Sequence, residues 1–287
     1  MIKRRTSKVL GITVCLLITL SGTSFSQLTT SQLAGQRNVV TTAVPLLMIA
    51  PDTRGGSLGD AGVASTPDAN SIHWNPAKLA FVDKDFGFAV SYTPWLRALV
   101  DDINLGYLTG YKRVGKDQTI GASLLYFSLG NITFTDIYGN VTGDFNPHEF
   151  ALDFAYSRKL SDDFSGGIAL RYSYSNLSGQ IFLPEGGAQT HPGQSAAADV
   201  SGYYRKKVFL SGKNGLFAFG ANVSNIGAKI SYTDSGDKNF IPINARVGPS
   251  LTIDLDNYNT IMFVADINKL LVPSPNPQDS TRDWMKK

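Results

Sequence analysis

The chain has 287 residues, with 28 Gly, 12 Tyr, 16 Phe, 26 basic and 23 acidic side chains and one cysteine, Cys15. Four of the cations, Lys3, Arg4, Arg5 and Lys8, lie in the first eight residues, so the remainder carries 22 basic against 23 acidic groups and lacks the cationic footprint of a nucleic-acid binder. Beyond those first residues no uninterrupted apolar run is long enough to cross a bilayer as a helix, which excludes a helical membrane protein and leaves a barrel open.

The chain opens on the cations just named, followed by the apolar run Val9 to Leu20 and the small residues Ser24-Phe25-Ser26. That is the pattern of an export signal, expected over residues 1–26 and cleaved before Gln27. Val14 precedes Cys15 where a lipoprotein signal has a small residue, so acylation is not expected, and the exported chain has no thiol chemistry. Residues 27–82 are irregular. Gly55-Gly56-Ser57-Leu58-Gly59-Asp60-Ala61-Gly62 is rich in glycine but is followed by no Lys-Ser/Thr, so it reads as backbone bending and close packing and not as a phosphate cradle. Asp68-Ala69-Asn70-Ser71 and Trp74-Asn75-Pro76-Ala77 follow, with side chains suited to satisfying turns. Thr41 to Ala80 is expected to form an internal plug or lid.

From residue 83 to 287 the pattern changes to period two. In Glu149 to Ser157, Phe150, Leu152, Phe154 and Tyr156 alternate with Glu149, Ala151, Asp153, Ala155 and Ser157, which gives an extended strand one apolar and one small or polar face. Strands are predicted near Phe86 to Thr93, Ile103 to Arg113, Thr119 to Leu129, Glu149 to Leu160, Phe164 to Leu177, Ala196 to Leu210, Leu216 to Ile226, Ile241 to Asp254 and Asn259 to Leu270. In the eighth, Ile241, Ile243, Ala245, Val247, Leu251 and Ile253 oppose Asn244, Arg246, Gly248, Ser250 and Thr252.

A soluble sandwich turns its polar face to water, whereas an outer-membrane barrel turns its apolar face to lipid. The connections favour the barrel. Short turns at 114–118, 161–163, 211–215 and 255–258 alternate with long loops at 130–148, 178–195 and 227–240, the rhythm of short periplasmic turns and long extracellular loops. On that orientation Lys287 lies in an extracellular loop. Tyr92, Trp95, Tyr107, Tyr111, Tyr156, Tyr172, Tyr174, Tyr203 and Tyr204 read as aromatic girdles toward strand ends. The fold class expected is all-β, a transmembrane antiparallel barrel with an N-terminal plug. About nine strands are legible and the tail from Pro273 is polar, so the barrel is expected to be truncated at its C-terminal end.

No enzyme site, metal site or cofactor site emerges. His73, His148 and His191 are the only histidines, and none stands at ligand spacing. Glu149, Asp153, Asp199 and Asp266 fall on small or polar faces together with Arg171, Asn244 and Arg246, which are expected to line and pair across the lumen. Phe134, Ile137, Tyr138, Phe145, Ile181, Phe182 and Leu183 put more apolar surface into the long loops than solubility needs. They are candidates for partner binding, or for packing over the barrel mouth against one another.

The runs Ala43-Val44-Pro45-Leu46-Leu47, Ile49-Ala50-Pro51-Asp52, Gly59-Asp60-Ala61-Gly62-Val63-Ala64, Pro67-Asp68-Ala69-Asn70-Ser71 and His73-Trp74-Asn75-Pro76-Ala77 closely resemble the PorV/PorQ family of the Bacteroidota type IX secretion system. Gly59, Asp60, Gly62, Asp68, Asn70, Trp74, Asn75, Pro76 and Ala77 carry that resemblance. Asn75-Pro76-Ala77 also resembles the segment ahead of the barrel in the related FadL-type fatty-acid transporters, whose barrels have about fourteen strands. The resemblance implies a non-enzymatic outer-membrane protein whose partners are lipid, the translocon channel, a sortase-like attachment protein and cargo C-terminal domains. Cargo would be bound and shuttled from the channel to the attachment complex. The rival readings are a FadL-like channel for hydrophobic solutes and a soluble exported sandwich acting as an adhesin. Fold does not decide between the first two.

Overall fold

A computed structural model describes residues 40–177, 179, 189–233 and 238–273. The expected signal over residues 1–26, the loop residues Ile181, Phe182 and Leu183, and the tail beyond Pro273 lie outside them. The described residues fold as an all-β protein: a single large antiparallel sheet, barrel-like in its curl, around a segment of short helices and turns. No helix among the described residues is long and apolar enough to cross a membrane.

Twelve strands follow that segment: β1 (Phe86–Pro94), β2 (Ile103–Arg113), β3 (Gln118–Leu129), β4 (Ile132–Thr135), β5 (Val141–Phe145), β6 (His148–Lys159), β7 (Phe164–Asn176), β8 (Gly193–Leu210), β9 (Lys213–Gly227), β10 (Asn244–Asp254), β11 (Thr260–Val264) and β12 (Ile267–Leu270). Ten form one sheet in chain order, with β12 sharing an edge of β10 with β11, while β4 and β5 make a separate hairpin. Every pairing is antiparallel, and from β1 to β11 each strand of the large sheet pairs with the next one in it, an up-and-down meander, while β12 returns to β10.

The predicted alternation is what the strands display. In β6, Glu149, Ala151, Asp153, Ala155 and Ser157 are buried while Phe154 and Tyr156 are exposed. Across the register Leu108, Leu124 and Leu152 align, as do Gly110, Ala122 and Phe154, so the two sides of the sheet stay distinct from strand to strand.

Several expectations need correction. The loop at 130–148 contains the β4–β5 hairpin. Its turn is closed by Asp136, whose carboxylate accepts from the Tyr138 and Asn140 backbone N–H groups at 2.8 and 2.9 Å. The ninth predicted strand breaks at Ala265-Asp266 into β11 and β12, both paired to β10, because Asp266 leaves the ladder to hydrogen-bond inward. Ile241 precedes β10 and is buried with Val44, Leu46 and Ile230, so it does not belong to the outward face. Tyr107 and Tyr203 are buried on the inner face and are not girdle residues. Tyr92, Tyr156 and Tyr172 are exposed, each with its hydroxyl donating to a neighbouring amide side chain.

Candidate functional site

The inner face of the sheet is occupied by residues 41–82. Ala43 N–H donates to Phe240 O at 2.9 Å, and a 3₁₀ turn over Pro45–Met48 buries Leu46 and Leu47 among Leu105, Tyr107, Leu125 and Phe127. This apolar cluster fills the end of the sheet near the long loops. Thr53–Ser57 forms one helical turn capped by Asp52, whose Oδ2 accepts from Gly55 N–H at 2.7 Å. Its Oδ1 accepts from Trp74 Nε1 at 2.6 Å, so one buried carboxylate ties two parts of the segment together.

Trp74 explains the glycines beside it. A Cβ on Gly55 or Gly62 would lie 2.2 or 2.3 Å from the indole, so the ring occupies the space that any side chain there would need. Gly59 and Asp60, at φ +70° and +61°, turn the chain between the two. The Arg246 guanidinium lies 4.6 Å from the Trp74 ring and its Nε donates to Asn268 Oδ1 at 2.6 Å, a cation–π contact that reaches from the wall to the segment. His73 packs edge-on against Trp74; burial, then the Arg246 and Arg171 cations, push its pKa well below the usual histidine value.

The next residues dock on strands β7 to β10. Asn75 is fully buried. Its Nδ2 donates to Val63 O at 2.9 Å and to Gly202 O at 3.1 Å, and its Oδ1 accepts from Ala77 N–H at 3.0 Å. Pro76, whose ring needs no N–H partner at a helix start, opens the 3₁₀ helix Pro76–Phe81. Ser165 Oγ donates to Ala77 O at 2.7 Å and Ser250 Oγ to Ala64 O at 2.6 Å. Asn222 Nδ2 donates to Trp74 O at 3.1 Å, and from the other side Thr109 Oγ1 donates to Ala69 O at 2.9 Å. Contacts from β2 round to β10 thus converge on one short stretch of chain, which shows how strongly the sheet curls. Gly220 and Gly167 let it approach: a Cβ there would stand 2.1 Å from Val63 O and 2.4 Å from Ala77 N.

Asp266 Oδ2 accepts from both Gly62 and Val63 N–H, at 2.8 and 2.9 Å. Asp68 pairs with Arg54 at 2.8 Å and accepts from Ser71 Oγ at 3.3 Å. Asn70 precedes the helical turn Ser71–Trp74 without a side-chain cap bond. Lys78 sits with no exposed surface among Ala77, Leu79 and Phe81. Its Nζ donates to Gly62 O and Ser65 Oγ, both at 2.9 Å, and burial lowers its pKa to about 8.

A second buried group lies on the wall itself. Arg171 Nε contacts Asp153 Oδ1 at 2.6 Å and Nη2 contacts Asp199 Oδ2 at 3.3 Å. Ser123 Oγ donates to Asp153 at 3.0 Å, Asn225 N–H to Asp199 at 2.8 Å, and Arg171 Nη1 to Asn225 Oδ1. Two carboxylates around one guanidinium, all buried, persist only because each is paired and hydrogen-bonded. Glu149 accepts from Ser175 Oγ at 2.6 Å. Asn244 is buried where β10 begins, and its carbonyl accepts from Ser224 Oγ at 3.4 Å. Of the residues singled out from the sequence, the structure joins Gly62, Trp74, Asn75, Pro76, Ala77, Arg246 and Asp266 in one assembly. Asp153, Asp199 and Arg171 form the other. Lys78 and Asn225 were missed, while Asp52 stood out only as part of a family run and Ser250 only as part of a polar strand face. A lone lysine in the apolar run Ala77 to Phe81 was the available signal for one of them.

The loop candidates divide. Phe134 and Phe145 stack on each other, ring centroids 6.5 Å apart, across the β4–β5 hairpin. Ile137 and Tyr138 stand at its tip, 90% and 83% exposed. No group of three His, Cys, Asp or Glu side chains among the described residues has the geometry of a metal site.

Residues 32–277 match the family model described as "Type IX secretion system protein PorV". The chain belongs to the PorV family. No curated protein matches it. The PorV match runs through both the inner segment and the strands that hold it, so the docked arrangement lies within the family's own span. PorV is a component of a secretion system.

Proposed function

We propose that this PorV-family chain is an outer-membrane β-barrel that binds the C-terminal domain of secreted cargo through its long loops. It then shuttles that cargo from the translocon channel to a sortase-like attachment complex at the cell surface. The family match makes the chain a type IX secretion component. The outward row of apolar side chains, such as Leu170, Ile168 and Phe154, suits hydrocarbon better than water. Lipid is then the solvent of the outer face.

The single observation that carries the shuttle reading is where the apolar surface is spent. The interior is filled by residues 41–82, fixed by buried side-chain bonds from opposite sides of the sheet. An open solute path, as in a FadL-like channel, would require that packing to come apart. The β4–β5 hairpin meanwhile offers Ile137, Tyr138 and Val141 to solvent, an apolar tip on a stiff two-stranded stalk. In this reading residues 41–82 are a structural plug, and the non-enzymatic work is done by the loops.

The test is a deletion strain complemented with this chain. Loss of surface-attached cargo on deletion, restored by the chain and not by an Ile137→Asp/Tyr138→Asp variant, is expected. Normal secretion of all C-terminal-domain cargo in the deletion strain, with uptake of a hydrophobic solute lost instead, would replace the shuttle with the channel.

A further inference from the structure

The outward face is not uniformly ridged. On β2 and β3 it drops to Gly110 and Ala122, which sit side by side in register between Phe88 of β1 and Phe154 of β6. One pair step further along, Leu108 and Leu124 rise at the end of the depression. Together these residues border an open groove of about 830 Å³, within the range of about 300–1,000 Å³ that small-molecule sites occupy. Its lining is almost wholly apolar, save at one end.

At that end stands Lys112, exposed, one pair step beyond Gly110 and next to Phe86 and Ile120. Arg158 is exposed two strands away, beside Gln118. Neither cation has an ion-pair partner among the described residues; the nearby Asp85 is engaged by Arg113. The groove runs from the Lys112 row to the Leu108 row, four residues or about 13 Å along the strand. That is less than half of a hydrocarbon core about 30 Å thick, so it lies within one leaflet.

Resting on the membrane reading above, we propose that this groove holds one acyl chain of a glycerophospholipid from the leaflet facing the short turns, its phosphate bound by Lys112 and flanked by Arg158. The apolar trough fits a methylene chain, the unpaired cation marks where that chain must end in an anion, and the strand end at Arg113 puts the cation at the interfacial level. A partner's transmembrane strand would need polar backbone to pair with, which a trough between side chains does not offer.

The test is native mass spectrometry of the full-length chain, purified in detergent and supplied with phosphatidylglycerol or with diacylglycerol of the same chains. One retained phosphatidylglycerol per chain is expected. Gly110→Leu should lower that retention about tenfold by filling the trough. Lys112→Gln should lower it about fivefold and abolish the preference over diacylglycerol. Gly110 tolerates a side chain, since a Cβ there would have only the Gly87 carbonyl at 3.4 Å and Phe88 Cβ at 3.7 Å; Ala122→Leu provides an independent second filling variant. Equal retention by wild type and both filled variants, with all three still embedded in outer membranes, would overturn the lipid site while leaving the membrane reading intact. Cross-linking of a photoreactive residue at 122 to a protein and not to lipid would also overturn it. Recovery of the full-length chain in aqueous fractions without detergent would instead remove the membrane reading, and the lipid site with it.

Discussion

The inner segment and the β4–β5 hairpin are both additions to one regular sheet, and they are held in opposite ways. Residues 41–82 are pinned by side chains from β2 to β10 and by Asp266 beyond them, with Asp266, Asn75 and Lys78 each making more than one buried or part-buried polar bond. The hairpin is held by its own ladder, the Phe134–Phe145 stack and a local Asp136 turn. Buried polar groups are lost together when a partner is removed, because each remaining group is then unsatisfied. An exposed hairpin tip has no such debt. Mutations should therefore separate stability from function by region: damage inside unfolds, damage outside disconnects.

The largest effect should come from Arg171→Met, which strands two buried carboxylates, Asp153 and Asp199. A loss of about 3–5 kcal/mol is expected, read as a lowered thermal unfolding midpoint of the detergent-solubilised protein. Next is Gly62→Val, which drives a side chain into Trp74 and should remove about 1–3 kcal/mol. Combining it with Trp74→Leu should lose less than the two single changes added, since they share one space. Asp266→Ala leaves the Gly62 and Val63 N–H groups without their acceptor and should remove about 1–3 kcal/mol.

Lys78 gives a pH-dependent effect with a defined sign. Burial holds its pKa at about 8 against 10.5 for the free side chain, so the unfolded chain binds that proton more tightly than the folded one. Stability should therefore rise as pH increases from about 8 to 10.5, and unfolding of Lys78→Met should lack that rise. Smallest in stability is Ile137→Asp with Tyr138→Asp, expected within about 0.5 kcal/mol of wild type. Cargo attachment should nonetheless fail. A fully folded hairpin variant with normal attachment would break the division between the two regions.

The sheet was legible because period-two alternation survives wherever one face is buried: β2 was read to the residue, and most other ends within one to three. Residues 132–135 and 141–145 carry no strand signal of their own, because each run is short and the pair meets no core. Gly139-Asn140 between them was the turn signal that could have revealed the hairpin. The break at Asp266 was illegible for a different reason. The alternation marks Asp266 as an inward polar residue, and it is one, but the ladder yields there to two backbone donors more than 200 positions away. Tyr107 and Tyr203 misled likewise, since composition does not tell which face of a strand meets the inner segment. The motif from Gly59 to Ala77 was visible as a cluster, yet its partners on the wall were not, because docking depends on which strands the curl brings round.

The most direct measurement uses single cysteines in a Cys15→Ser background, carrying a fluorescent label at Leu170, which is 63% exposed, and at its outward neighbour Phe154, with Ser173 on the inner face as control. Quenching of the Leu170 and Phe154 labels by brominated lipid in outer-membrane preparations is expected, with position 173 shielded from lipid and from aqueous thiol reagents alike. Free modification of positions 154 and 170 by the aqueous reagent, with no quenching from the bilayer, would contradict a lipid-facing sheet wrapped around its own N-terminal segment.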